Sequence, residues 1–373
     1  MSKKVALVAG VRPEIIKESP LIREFEKRGT DYFVIYTGQH YNYEMEKIFF
    51  EQLNLPLPKY NLSIRSSAPF LQGEHTGRML IEIEKILLNE MPDIVLTLGD
   101  TNSTLAGALT TRKLSTTAAF TNIRIMLGHI EAGLRSYDKT MPEEVNRILA
   151  DHLSDYLFAP THRAAGNMIG EGIHHGKITV TGNTIVDALF EASKASRDNE
   201  ILDKLNLEPQ GYFLATFHRQ ENADVKEKFA NVLEAFGRLY KKYGKPVIYP
   251  IHPRSKKLME KFGLQVPEGV RILGPAGFME FLKLEENASA ILTDSGGVQE
   301  ESCILNVPCV TLRENTERPE TIDVGANILA GTDPDKIVEC TETMLNKKRS
   351  WENPFGDGKS GKRIADIILG GQA

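Results

Sequence analysis

Several absences narrow the field before any motif is read. No apolar stretch of the 373 residues is long enough to span a bilayer, so no membrane helix is expected. Cysteine is scarce. Cys303, Cys309 and Cys340 are odd in number and lack metal-ligand spacing, which excludes a disulfide framework or zinc site and fits a reducing cytoplasm. The apolar residues 5–10 behind Met1-Ser2-Lys3-Lys4 are too few for a secretory signal and are cut off at Arg12-Pro13, so they read as a first buried strand. Neither sign of charge dominates. With 45 Lys and Arg against 50 Asp and Glu, the formal net charge of −5 gives no global field for nucleic acid. An anion site must therefore be built from local cations. The loop Asp294-Ser295-Gly296-Gly297-Val298-Gln299-Glu300-Glu301 carries neither Gly-x-Gly-x-x-Gly nor Gly-Lys-Ser/Thr, which argues against NAD binding and ATP hydrolysis there. There is no strict repeat and no low-complexity tract.

What is present is a soluble, globular composition at a length that suits two domains. Short apolar runs alternate with helical segments, the pattern of βαβ units in parallel sheets covered on both faces. In the first half strands are expected over 4–9, 32–37, 94–98, 123–127, 156–159 and 178–181. Helices are expected from Pro13, Glu44, Gly77, Ser103 and Pro142. In the helix from Pro142, Val145, Ile148, Leu149, His152, Leu153 and Tyr156 mark a buried stripe at helical spacing, with Glu143 and Arg147 opposite it. Residues 191–210 look like a domain connection, with 201–205 helical inside it. The pattern then restarts, with strands over 212–216, 247–251, 270–273, 290–293, 309–312 and 327–329. The fold class expected is α/β, two Rossmann-like doubly wound domains facing a cleft. Residues 114–122 read as a polar surface insertion.

Open α/β sheets bind ligands beyond the carboxyl ends of their strands, and the informative residues stand there. Gly10-Val11-Arg12-Pro13-Glu14-Ile15-Ile16-Lys17 combines a sharp turn, an electropositive helix start and two cations, which suits phosphate. Asp100 and Thr101 follow the third run as a helix cap or as a carboxylate aimed outward. Gly128-His129-Ile130-Glu131-Ala132-Gly133-Leu134-Arg135 then Pro142-Glu143-Glu144-Val145-Asn146-Arg147 supply carboxylates and guanidiniums on a loop and the next helix. His218 and His252 each follow a strand, and at least one of the two is expected to be structural. In Asp294-Ser295-Gly296-Gly297-Val298-Gln299-Glu300-Glu301, bare backbone amides can approach a pyrophosphate, and Glu301 can accept from ribose hydroxyls. Arg313 and Arg318 add two cations. Phosphate-binding groups together with Asp100, Glu131 and Glu143 fit a nucleotide sugar.

Taken in order, these motifs, with Thr316-Glu317-Arg318-Pro319-Glu320 and the closing Asn353-Pro354-Phe355-Gly356-Asp357-Gly358, resemble the non-hydrolysing UDP-N-acetylglucosamine 2-epimerases over essentially the whole chain. The resemblance implies a GT-B-like pair of domains: residues 1–184 with the carboxylates, 185–354 for UDP, and 355–373 crossing back to the first. It implies UDP-GlcNAc and UDP-ManNAc as ligands, no metal and no nicotinamide or other cofactor, no nucleic acid or membrane partner, and a homodimer. Carried over by residue, Arg12, Lys17, Ser295, Gly296, Gly297, Glu301 and Arg318 would hold UDP, with Phe281 against the uracil. Asp100, Glu131 and Glu143 would be the acid/base group, His218 would steady the departing diphosphate, and Arg147 would complete the site.

Chemistry points the same way. C2 of the sugar has no neighbouring carbonyl to stabilise a carbanion, so direct deprotonation is implausible. Loss of UDP first gives oxocarbenium character at C1, stabilised by carboxylates, and acidifies C2–H. The hydrolysing epimerases lack the Arg12-Pro13-Glu14 pattern. A GT-B glycosyltransferase needs an acceptor region, and a nucleotide-sugar sensor would leave the three carboxylates idle. Gln220 replaces the arginine many relatives carry. Gln39-His40 resembles part of a second, activating UDP-GlcNAc site, whereas residues 66–75 depart from its partner loop.

Overall fold

Apolar runs bounded by glycine and polar residues form two parallel sheets in a computed structural model that describes residues 3–38, 50–51, 53–64, 71–116, 123–197, 199–274 and 276–370. The chain divides into two units, Met1–Ala188 with Phe355–Ala373, and Leu189–Pro354. In the first, strands β1 (Lys4–Ala9), β2 (Asp31–Tyr36), β3 (Tyr60–Asn61), β4 (Ile94–Leu98), β5 (Met126–Ile130), β6 (Tyr156–Ala159) and β7 (Ile178–Val180) lie in the order β3-β2-β1-β4-β5-β6-β7. In the second, β8 (Phe213–Thr216), β9 (Val247–Pro250), β10 (Val270–Leu273), β11 (Ala290–Thr293), β12 (Cys309–Thr311) and β13 (Asn327–Leu329) lie in the order β10-β9-β8-β11-β12-β13. Every pairing is parallel, with Val5 of β1 registered between Tyr32 and Ile94. The α/β class with two doubly wound sheets is the one expected.

Strand order reverses between β1 and β4 and again between β8 and β11. At such a switch point successive loops leave in opposite directions and open a crevice at the carboxyl ends of the strands. Parallel strands must be covered on both faces, and these are: β4 and β11 are buried throughout. Ala6, Val8, Val95 and Leu127 pack with Met79, Ile83 and Leu87 of helix Gln72–Glu90 in one core. Phe213, Leu292 and Val310 pack with Phe236 of helix Lys226–Tyr243 in the other. Helix Arg12–Arg28 begins at the restriction set by Pro13 and stops at Gly29, whose φ of 62° breaks the helical path.

Three expectations need correction. The fifth strand is Met126–Ile130 rather than 123–127, so Gly128 and His129 lie inside it. A Cβ at Gly128 would meet Leu96 at 2.6 Å, and glycine is what lets these strands and side chains approach. In helix Pro142–Leu153 the buried residues are Glu144, Asn146, Arg147, Ala150 and Asp151, whereas Val145 and Leu149 are 47% and 44% exposed. The expected apolar stripe is thus the outer face, because hydrogen bonds and ion pairs bury the polar one. The helix expected from Gly77 begins at Gln72, and that from Ser103 continues to Thr116 instead of giving way to a loop at 114. Strand β3, only two residues long, left no pattern to read. Glu44, Gln39-His40 and residues 66–70 and 117–122 lie outside the described residues.

Candidate active site

The loops after β4 and β5 form the acidic part of the first unit. Gly99 donates its N–H to Ile130 O at 3.0 Å, tying the two strand ends side by side. Asp100 follows Gly99, and its Oδ2 accepts from Arg147 Nη2 at 2.5 Å and Nε at 3.0 Å. Asn146 Nδ2 donates to Asp100 O at 2.9 Å, so helix Pro142–Leu153 holds both the backbone and the side chain of Asp100. Glu143 stands one turn before Arg147, partly exposed.

Glu131 is the first residue past β5, and its φ of 66° is unusual for a side chain with a Cβ. Its Oε1 accepts from Lys17 Nζ at 2.6 Å and from Asn183 Nδ2 at 2.8 Å. Lys17, which the resemblance placed at the diphosphate, is therefore ion-paired with a carboxylate. Asn183, which sequence reading missed, is fully buried and sits just after β7. Arg12 opens helix Arg12–Arg28 at the end of β1, partly exposed.

A buried network behind these loops was also missed. His129 Nδ1 meets Asp151 Oδ1 at 2.7 Å, and its Nε2 meets Gly99 O at 2.8 Å. Asp151 Oδ2 accepts from Gly133 N at 3.1 Å and pairs with Arg135 Nη2 at 2.7 Å. Arg135 also forms a forked pair with Glu171, so this guanidinium fixes the loop. Glu144 does the same from the other side, accepting from Ser136 N, Tyr137 N and Arg147 Nη1 at 3.0, 2.9 and 2.8 Å. Burial pushes the Glu144 carboxyl up, but Ser136, Arg147 and Tyr137 outweigh it and hold it below its ordinary range. Glu14 differs. Its Oε2 accepts from Gly10 N at 2.5 Å and Val11 N at 3.1 Å, yet burial pushes its pKa up to about 7, with the charge of Asp100 adding to the effect.

In the second unit, the β8/β11 switch point carries His218 and Ser295. Asp294 is fully buried and accepts from His218 N at 3.0 Å and Arg219 N at 2.8 Å, and its Oδ1 lies 3.3 Å from His218 Nδ1. His218, Phe281, Ser295 and Val298 line a cavity of about 230 Å³ together with Pro250 and His252. His252 Nδ1 accepts from Arg254 N at 3.2 Å, so it caps helix Pro253–Phe262 and is the structural histidine of the two. Ser295 is the N-cap residue of helix Gly296–Ile304, which carries Gly297 in its first turn and Glu301 further along. A Cβ at Gly296 would fall 2.2 Å from Glu317 Oε1. Arg313 Nη1 donates to Glu317 Oε2 at 2.8 Å, both side chains buried. Arg318 Nε lies 2.8 Å from Glu300 Oε1, both side chains buried. Among the described residues, no group of three His, Cys, Asp or Glu is placed to hold a metal.

Backbone amides and a cavity at one switch point, and paired carboxylates at the other, are the elements a nucleotide-sugar enzyme requires. The family model described as UDP-N-acetylglucosamine 2-epimerase matches residues 23–369. The chain belongs to that family. A Methanocaldococcus jannaschii protein named UDP-N-acetylglucosamine 2-epimerase is 52% identical over 99% of this chain and 100% of its own length. The crystal structure of the M. jannaschii UDP-GlcNAc 2-epimerase in complex with UDP-GlcNAc and UDP superposes with a TM-score of 0.90, covering 99% of this chain and 100% of that one. A Neisseria meningitidis UDP-GlcNAc 2-epimerase bound to UDP-GlcNAc is 32% identical with a TM-score of 0.87, over 98% of this chain and 100% of that one. The GT-B-like fold anticipated for this epimerase family member is the fold of these relatives.

Proposed function

We propose that the protein interconverts UDP-N-acetylglucosamine and UDP-N-acetylmannosamine by eliminating and re-adding UDP. The observation that carries this reading is the pair of carboxylates at adjacent strand ends, Asp100 braced by Arg147 and Glu131 braced by Lys17 and Asn183. Inversion at C2 requires proton removal on one face and delivery on the other, hence more than one positioned carboxyl group. Asp100, Glu131 and Glu143 form that group.

Binding falls to the second unit. The amides at Ser295, Gly296 and Gly297, at the electropositive end of a helix, take the diphosphate with Arg318. Phe281 lies against the uracil, and Glu301 takes the ribose hydroxyls. The C1–O bond breaks with its electron pair leaving on UDP, and positive charge develops at C1 and the ring oxygen. His218, held by Asp294, steadies the departing diphosphate. One carboxylate removes the C2 proton, and the C2–H pair forms the double bond of 2-acetamidoglucal. A carboxylic acid then delivers a proton to the opposite face of C2, and UDP returns to C1.

Proton NMR of the protein with UDP-GlcNAc in D₂O tests this. Growth of UDP-ManNAc carrying deuterium at C2 is expected. Glu131→Gln is expected to slow it roughly 10²–10⁴-fold. Free ManNAc and UDP would indicate the hydrolysing reaction instead, and exchange at full rate in the variant would remove Glu131 from the acid/base group.

A further inference from the structure

His129 has no part in the mechanism above, yet its hydrogen bonds fix its charge. The ring lies inside β5, is 1% exposed, and is engaged at both nitrogens. Its Nδ1 is 2.7 Å from Asp151 Oδ1 and its Nε2 is 2.8 Å from Gly99 O. A carboxylate and a carbonyl oxygen only accept hydrogen bonds. A neutral imidazole has one N–H and one lone pair, so either tautomer would aim its lone pair at an acceptor. Both contacts can form together only if the His129–Asp151 pair holds one proton beyond that on Nε2. The other oxygen of Asp151 decides where that proton lies. Oδ2 accepts from Gly133 N at 3.1 Å and faces Arg135 Nη2 at 2.7 Å, and both favour the ionised carboxylate. The proton therefore belongs to Nδ1, and the ring is an imidazolium.

The surrounding charges agree. Arg135 is shared by Asp151 and Glu171, and exposed His152 approaches Glu171 at 3.8 Å. With His129 charged, His129 and Arg135 balance Asp151 and Glu171. With it neutral, the cluster would keep an uncompensated negative charge, which is costly where it is buried. Helix Asn102–Thr116, packed on β4 and β5, brings two charged side chains: Arg112, engaged with Leu153 O and Asp155, and exposed Lys113.

This charge stands beneath the strand ends that carry the acid/base pair. Gly99 is held at both polar groups, its N–H by Ile130 O and its carbonyl by His129. Asp100 is the next residue, and a Cβ on Gly99 would stand 3.6 Å from Glu131 Oε2, so the Glu131 carboxylate lies over the same glycine. We propose that His129 is a positively charged positioning residue for the acid/base pair: its imidazolium clamps the Gly99 peptide and supplies positive charge that favours the ionised form of the neighbouring carboxylates. This rests on the reading of Asp100 and Glu131 as acid/base groups.

Two-bond ¹H–¹⁵N NMR of the full-length protein, labelled at its nine histidines, reads the rings directly. At pH 8.5, where an ordinary histidine is neutral, one ring is expected to keep the pattern of two protonated nitrogens. Asp151→Asn should abolish it, because the amide can donate to Nδ1 and a neutral ring then suffices. No imidazolium pattern in wild type at that pH, or its survival in Asp151→Asn, would overturn the proposal. His129→Gln keeps an N–H donor for Gly99 O but carries no charge. It should lower kcat roughly tenfold with KM little changed. It should also move the acid limb of the kcat–pH profile up by about one unit, because a carboxylate base without a neighbouring cation takes up its proton more readily. A lower kcat with the acid limb unmoved would make the ring purely structural and sink the role of its charge. If His129→Gln does not fold, the NMR comparison decides. The acid/base reading fails separately: full-rate C2–H exchange in Glu131→Gln would remove it while the imidazolium pattern persisted.

Discussion

Glu14 shows how one side chain ties the start of a helix to pH. Its carboxylate closes the turn after β1 by accepting from the Gly10 and Val11 amides, yet it is almost wholly buried and Asp100 is close enough to add repulsion. Burial dominates, and the group titrates at about 7 instead of 4.5. A raised native pKa means the folded chain binds the proton more tightly than the unfolded one. The associated stability is complete below pH 4.5 and is lost as pH rises through 7. At about 1.4 kcal/mol per pH unit this window is worth on the order of 3 kcal/mol. Glu14→Gln keeps an acceptor for the two amides and cannot titrate. Denaturant unfolding at a series of pH values should show wild type losing more stability than the variant between pH 5 and 7.5. Parallel curves would mean that Glu14 is already ionised in the folded chain at pH 5.

At the scale of elements, the strand ends after β4 and β5 act as one piece through His129 and Asp151. His129 links Gly99, the residue before Asp100, to Asp151, and Asp151 holds Gly133, two residues after Glu131. Asp151→Asn removes the charge facing buried Arg135 and one acceptor from this junction. We expect a loss of about 2 kcal/mol in stability. A small shift of Asp100 and Glu131 should also lower kcat, on the order of tenfold, with KM little changed. Steady-state kinetics checks the split, since weakened substrate binding would raise KM. The strand-end positions of Asp100, Glu131, His218 and Ser295 were legible in the sequence, because each follows an apolar run that ends in a turn. Their supports were not. Asp151 lies 22 residues from His129, Glu300 lies 18 from Arg318, and Asp294 meets His218 from 76 away. Hydrophobic periodicity also chose the wrong face of helix Pro142–Leu153, since it reads apolarity and cannot see polar groups buried by long-range pairing. Val145 and Leu149 therefore looked like core, while Glu144, Arg147 and Asp151 occupied it.

For the whole molecule, the decisive feature is that the first unit is discontinuous. The chain passes through all of Leu189–Pro354 before Phe355–Ala373 completes the unit that began at Met1. The returning segment is integral to it. Phe355 is fully buried and its carbonyl accepts from Asn183 N at 2.7 Å. Asp187 caps the final helix, Ser360–Leu369, through the Ser360 and Gly361 amides at 3.1 and 3.0 Å. Lys3 Nζ donates to Ile368 O at 2.6 Å, and a Cβ on Gly361 would sit 3.0 Å from Pro20. Asn183 faces both ways: its backbone takes the returning chain and its side chain holds Glu131. Truncating Phe355 should therefore act on the carboxylate site without touching it. Phe355→Ala in the full chain is expected to cost about 3–5 kcal/mol, the usual cost of emptying a buried aromatic site. Hydrogen exchange should speed up in helices Arg12–Arg28 and Ser360–Leu369, while helix Gly296–Ile304 keeps its protection. C2–H exchange should slow through Asn183 even where the variant stays folded. If the loss of protection instead spread equally to Gly296–Ile304, the two units would unfold as one, and the returning segment would govern the stability of the entire chain.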